Sequence, residues 1–240
     1  VKEQEVAAFL AHLDCGPART VLLGGSTWPG EDAALLRIYR RLRPRYPDLR
    51  LVLVPRHFEK ADAVQAGIER AGFTCVRKSK EMSDEPSGRD TASMGVHHSP
   101  PDIGPASPPV ILADTTGELM GFYGNAHIVF VGKSLCEHGA QNMIEPCLCG
   151  AATLVGPYTE NFRPVMSDLL DSGALVQVTD EAMLTREIER LAGDAEARRA
   201  LGARGTEAVL RRKGVVERSA EALLGAIQRI ESHPEGGVRS

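Results

Sequence analysis

The sequence predicts an α/β domain, a parallel sheet with helices covering both of its faces. Three observations predict it. Seven short apolar runs recur along the 240 residues, and they are continuous rather than alternating, as strands buried on both sides require. Helical patterns separate them, and strand–helix–strand repetition implies crossover connections and parallel pairing. A composition of 42% hydrophobic and 25% charged residues is that of an ordinary globular chain.

The predicted strands are, in order, Thr20–Gly25, Leu49–Pro55, Phe73–Arg77, Pro109–Asp114, His127–Gly132, Ala151–Gly156 and Ala174–Val178. Between the first two, Leu35, Ile38, Tyr39 and Leu42 fall on one side of a helix. Its first turn carries Glu31 and Asp32 and its far end is rich in arginine, as the helix dipole favours. The segment 80–108 is polar, proline-rich and aperiodic, and is read as a flexible surface insertion. Its adjacent His97 and His98 are read as an accidental pair rather than a metal site. Residues 180–231 read as closing helices, the last of them Val216–Ile230, before a Gly-rich tail. No internal repeat is visible.

A net charge of −4 gives no electrostatic reason to expect a nucleic-acid partner. No run approaches the roughly 18 apolar residues of a membrane span, and no secretory signal is visible. The first residue is Val1, so the chain is expected to be part of something longer. Cys136, His138, Cys147 and Cys149 cluster, but one-residue gaps within each pair do not match zinc-ligand spacing. Small buried thiols in a reducing compartment are the better reading.

Ligands of parallel sheets bind outside the carboxyl ends of the strands, near the point where strand order reverses. After the first strand, Gly24, Gly25 and Ser26 offer close backbone approach and a hydroxyl, or simply a tight turn into a helix. After the second, Pro55 stiffens the exit and presents Arg56 and His57. The arginine suits a phosphate or a base, or plain solvent; the histidine suits a ligand or a helix cap. After the fourth, Asp114 or Thr115 is placed to cap a helix starting near Gly117, or Thr115 and Gly117 border a nucleobase. After the fifth come Gly132 and Ser134, and then "GAQNMIEP". Asn142 and Glu145 have capping-box spacing. Pro146 pins a helix start nearby, which leaves Glu145 free to hold ribose hydroxyls while the amides near Gly139–Asn142 face a phosphate. That is the preferred account. Neither GxGxxG nor a P-loop is present, since His127 stands where a P-loop needs glycine.

Six stretches, "GGSTWPGED", "LVLVPRH", "LADTTGEL", "FVGKSL", "QNMIEP" and "GPYTENF", occur in the order found in the bacterial Kdo transferases, and the sequence resembles that family from about Val21 to Val178. The family moves 3-deoxy-D-manno-octulosonic acid (Kdo) from CMP-Kdo onto the lipid A precursor of lipopolysaccharide. The resemblance implies one Rossmann-like half of a GT-B glycosyltransferase, residues 1–240 being the carboxyl-terminal, donor-binding half. By the same resemblance an amino-terminal half, absent here, carries the lipid A acceptor site, the membrane-attaching surface and the general base. The chain alone is then a CMP-Kdo binder with no catalytic residue of its own. The full enzyme is implied to work on the cytoplasmic side of the bacterial inner membrane, without metal or other cofactor. The donor-binding set is Ser26, Arg56, His57, Thr115, Gly117, Gly132, Ser134, Gly139, Asn142, Glu145 and Asn161, the last reaching the sugar or capping a helix. Two alternatives stand beside it: a UDP- or GDP-sugar transferase or epimerase of the same architecture, and a non-catalytic nucleotide-binding domain. The sequence departs from the family at Lys133 and Ala140, where a second glycine is usual, and at Gln141, where histidine is frequent.

Overall fold

The structure, a computed structural model, describes residues 2–81 and 108–212. The expected insertion therefore falls almost wholly outside the described residues, as do His97, His98 and the last closing helix. The elements are α1 (Lys2–His12), β1 (Thr20–Thr27), α2 (Glu31–Leu42), β2 (Leu49–Pro55), α3 (Ala61–Arg70), β3 (Cys75–Arg77) and α4 (Lys78–Glu81). There follow β4 (Val110–Leu112), α5 (Leu119–Gly124), β5 (Ile128–Val131), α6 (Ile144–Leu148), β6 (Ala152–Val155), α7 (Arg163–Asp171), β7 (Val176–Gln177) and α8 (Glu181–Gly193). Residues 195–212 form a further helix, α9.

All seven expected strands are present, in one sheet of order β3-β4-β2-β1-β5-β6-β7. Every pairing is parallel. Their continuous apolar character has the predicted cause. In β1, Leu22 packs into a core with α2, α3 and α8, while Val21 and Leu23 pack into a second core with α1, α5 and α7. Leu51 and Leu53 of β2 and Phe130 of β5 join the first core; Val52, Val129 and Val131 join the second. Removing one such side chain, as in Leu51→Ala, costs about 2–5 kcal/mol.

Helix α2 buries Leu35, Ile38, Tyr39 and Leu42, the stripe the sequence predicted. Helix α8 starts from Asp180, whose carboxylate accepts from Met183 N at 2.7 Å. Helix α1, by contrast, buries only Val6 and Leu10.

From β1 the chain winds towards the β3 edge, then returns to β5 on the other side of β1. The order thus reverses between β1 and β5, whose exits nearly touch. A Cβ on Gly132 would lie 2.2 Å from the Ser26 carbonyl oxygen, and one on Gly156 would lie 2.0 Å from that of Ser134. Only glycine fits at either position.

Candidate functional site

The exits of β1, β2 and β4 converge. Ser26, Arg56, Thr115 and Gly117 line one cleft of about 130 Å³, walled by Val54, Leu119 and Phe122. Ser26 is buried with φ 52°, a left-handed conformation that serine rarely adopts. The Arg56 backbone is held by a 3.0 Å bond from its N–H to the Thr27 carbonyl. Its side chain is exposed and has no ion-pair or hydrogen-bond partner among the described residues.

A buried ion pair underlies the β4 side. Lys78, 1% exposed, bonds Glu118, which also accepts from the Thr115 hydroxyl. The Lys78 ammonium lies 5.6 Å from the Phe9 ring centroid and 5.5 Å from that of Phe122. Burial works to raise the Glu118 pKa, yet the bonds from Lys78 and Thr115 outweigh it and leave the carboxyl below its ordinary range. Asp114 does not cap a helix as expected. It accepts from Arg77 Nε at 2.7 Å and from Ser79 N and Oγ at 2.9 and 2.5 Å, which also lower its pKa against burial. Helix α5 starts two residues later than the expected Gly117, with Glu118 before it and no side-chain cap.

The β5 exit corrects several expectations. Glu31, read in sequence only as a favourable acid at a helix start, is 0% exposed. One carboxylate oxygen accepts from Trp28 N (2.9 Å) and Lys133 N (2.8 Å), the other from Ser134 N and Leu135 N, both 3.0 Å. The amides that follow Gly132 are therefore satisfied by the protein's own carboxylate. Ser134 is fully buried; its hydroxyl donates to Val131 O (2.5 Å) and accepts from Gly156 N (2.8 Å), so it secures the loop and offers no bond to a ligand. The amides expected to face a phosphate are also largely taken. Gly139 N donates to Glu160, Ala140 N to Lys133 O and Gln141 N to Gly132 O. Lys133 and Ala140 have φ 55° and 51°, a left-handed conformation that favours glycine, the residue expected at both places.

Asn142 and Glu145 form the local pair that their spacing allows. Asn142 Nδ2 donates to Glu145 Oε1 at 2.9 Å and Asn142 Oδ1 accepts from Ile144 N at 3.0 Å. Helix α6 is a single short helix with Pro146 in its first turn. The second carboxylate oxygen of Glu145 has no hydrogen-bond partner among the described residues. The buried Tyr123 phenol lies close enough to Glu145 to sense its charge. Burial first, and the Glu145 charge next, raise that phenol's pKa, and the Tyr123 ring abuts Gly25 of β1. Asn161 lies against Gly139, where a Cβ would come within 2.5 Å of its Nδ2. It caps nothing, since Phe162 precedes α7 and makes no side-chain cap.

His57 is separated from the cleft. Its Nδ1 lies 3.1 Å from Glu59, its ring meets Trp28 edge-on at 5.2 Å, and it lines a different groove, of about 410 Å³, between α2 and α3. Asp32 lies in that groove too, and burial pushes its pKa up to about 6 despite the Thr27 hydroxyl bonded to it. Cys136 is exposed, Cys147 is buried, and all five cysteines are free thiols. Among the described residues no three His, Cys, Asp or Glu side chains gather as metal ligands, and no helix is long and apolar enough to cross a membrane.

An all-parallel, seven-stranded sheet with helices on both faces and a cleft at its strand exits is a Rossmann-like domain, the fold expected of one half of a GT-B glycosyltransferase. It superposes with a TM-score of 0.71 and 24% identity on the C-terminal CMP-Kdo binding domain of WaaA from Acinetobacter baumannii, covering 87% of this chain and 97% of that one. It also matches Anabaena Alr3699/HepE, solved in complex with UDP, at TM-score 0.57 and 12% identity, over 92% of this chain and 53% of that one.

The particular relationship comes from sequence: the chain is homologous to the 3-deoxy-D-manno-octulosonic acid transferases. It is 32% identical over 213 residues to that of Haemophilus influenzae, covering 88% of this chain and 45% of the relative. Against the Bordetella pertussis transferase the figures are 29%, 85% and 44%. No protein-family model matches. The chain spans less than half the length of these relatives.

Proposed function

We propose that this chain is the donor-binding part of a Kdo transferase and takes CMP-Kdo at the exits of β1, β2, β4 and β5. The observation that carries the reading is the meeting of Ser26, Arg56, Thr115 and Gly117 around one cleft, in a chain homologous to Kdo transferases. An arginine without a partner among the described residues, beside a small hydroxyl, suits a monophosphate. Thr115 and Gly117 border the base. Glu145, with one oxygen engaged by Asn142, receives the ribose hydroxyls. Asn161 faces the sugar or its carboxylate. Gly132, Ser134, Gly139 and Asn142 shape the pocket rather than bond the donor, and His57 stands outside it.

In the transfer an acceptor hydroxyl attacks the anomeric carbon as CMP departs. The departing phosphate gains charge as its bond to the sugar breaks, so a guanidinium at that phosphate stabilises the transition state more than the ground state. The lipid A precursor, the general base and the membrane attachment are assigned to the part of the relatives' length that this chain does not cover. Alone, the domain binds donor without turning it over. Binding needs no metal, and the complete enzyme works at the cytoplasmic side of the inner membrane.

Isothermal titration of the chain with CMP, UMP and GMP, with and without EDTA, tests this. CMP is expected to bind most tightly and to be indifferent to EDTA. Tighter UMP or GMP binding, or no CMP binding at millimolar concentration, would refute it.

A further inference from the structure

The amides of Lys133, Ser134 and Leu135 form the concave nest at the point where strand order reverses, the place a phosphate would be expected to enter. Glu31 already fills it. Its buried carboxylate makes four backbone bonds of 2.8–3.0 Å, three to that nest and one to Trp28 in the β1 exit. One side chain thus ties together two loops that are distant in sequence. Each loop holds a non-glycine residue in the left-handed region, Ser26 at φ 52° and Lys133 at φ 55°. Such conformations persist only where the surroundings over-determine them, and they concentrate at functional sites. The Lys133 ammonium, 4.8 Å from the Trp28 ring centroid, closes the same junction from above. Ser26 in turn lines the cleft with Arg56.

We propose that Glu31 is a positioning residue for the donor's phosphate. Its carboxylate stands in for an anion in the nest, locks the β1 and β5 exits together, and so directs the phosphate to the side of Ser26 and Arg56. This rests on the CMP reading above.

The test uses the full chain, with CMP and cytidine as probes. Glu31→Gln keeps the size of the side chain but turns an amide N–H₂ towards backbone donors. CMP affinity is expected to fall tenfold or more while cytidine affinity changes less than twofold. A role in folding alone would leave the CMP-to-cytidine ratio unchanged, and that result would overturn the inference while leaving the CMP reading intact. Absence of CMP binding by the unmodified chain would overturn both. Should the variant not fold, the unmodified chain still decides. On saturation with CMP, the backbone amides of Lys133, Ser134 and Leu135 are expected to keep their NMR shifts and exchange protection while Ser26 moves. Large shifts and lost protection at those three amides would mean that phosphate displaces Glu31, contrary to the proposal.

Discussion

Arg56→Ala separates binding from folding more cleanly than any other substitution in the cleft. The side chain is exposed and makes no hydrogen bond or ion pair among the described residues, so its loss should change folding stability by no more than about 0.5 kcal/mol. For a domain of this size that is a melting shift within about 2 °C. A hydrogen bond from a charged donor to the phosphate is worth about 1.5–3 kcal/mol. At 1.4 kcal/mol per decade, CMP affinity should fall roughly 10- to 150-fold. Cytidine, which lacks the phosphate, should bind within twofold of the unmodified chain. Calorimetric titration with both ligands, paired with thermal denaturation, reads all three quantities. CMP affinity unchanged within twofold, or CMP and cytidine weakened alike, would refute the assignment of Arg56 to the phosphate.

Glu145→Gln should weaken CMP and cytidine equally, by about 1.5 kcal/mol, because the ribose is common to both; loss of stability with unchanged affinity would reduce Glu145 to a partner of Asn142. Gly156→Ala drives a methyl group to 2.0 Å from the Ser134 carbonyl, so denaturant unfolding should show a loss of about 1–3 kcal/mol or more. Lys78→Met leaves the Glu118 carboxylate buried without its cation and should cost about 3–5 kcal/mol at pH 7. The lowered pKa values of Glu118 and Asp114 fix the sign of the acid response. Their stabilisation is complete above the unfolded carboxyl pKa near pH 4 and is lost as pH falls through the lower folded values. Melting temperatures across pH 3–7 should therefore fall at the acid end, with a shallower fall in Lys78→Met.

The sheet was legible because each strand carries apolar residues on both faces, and burial between two helical layers leaves little alternative for a run such as Leu51–Val54. The α2 stripe was legible for the same reason at helical period. Helix α1 was not, since only Val6 and Leu10 turn inward. At the strand exits, placement was readable: Arg56 after Pro55 and Thr115–Gly117 after β4 line one cleft. The sequence did not show which side chains are taken by partners distant in the chain. Glu31 serves amides about a hundred residues away, and Asp114 is claimed by Arg77 and Ser79 across the sheet edge. Ser134 is claimed by Gly156. Spacing identifies which groups can cap or coordinate locally, while tertiary contact decides which remain available to a ligand. Lys133 and Ala140 were visible in sequence as departures from the expected glycines, but that the backbone holds both at positive φ was not.

The central claim is that a cytidine monophosphate lies in the cleft at the strand exits. An NMR titration of the chain with CMP measures that directly, residue by residue. Saturating shifts are expected at Ser26, Arg56, Thr115, Gly117 and Glu145. Shifts confined to Ala33, Leu36, Val64 and Gly67 in the larger groove between α2 and α3, or none at any strand exit, would contradict it.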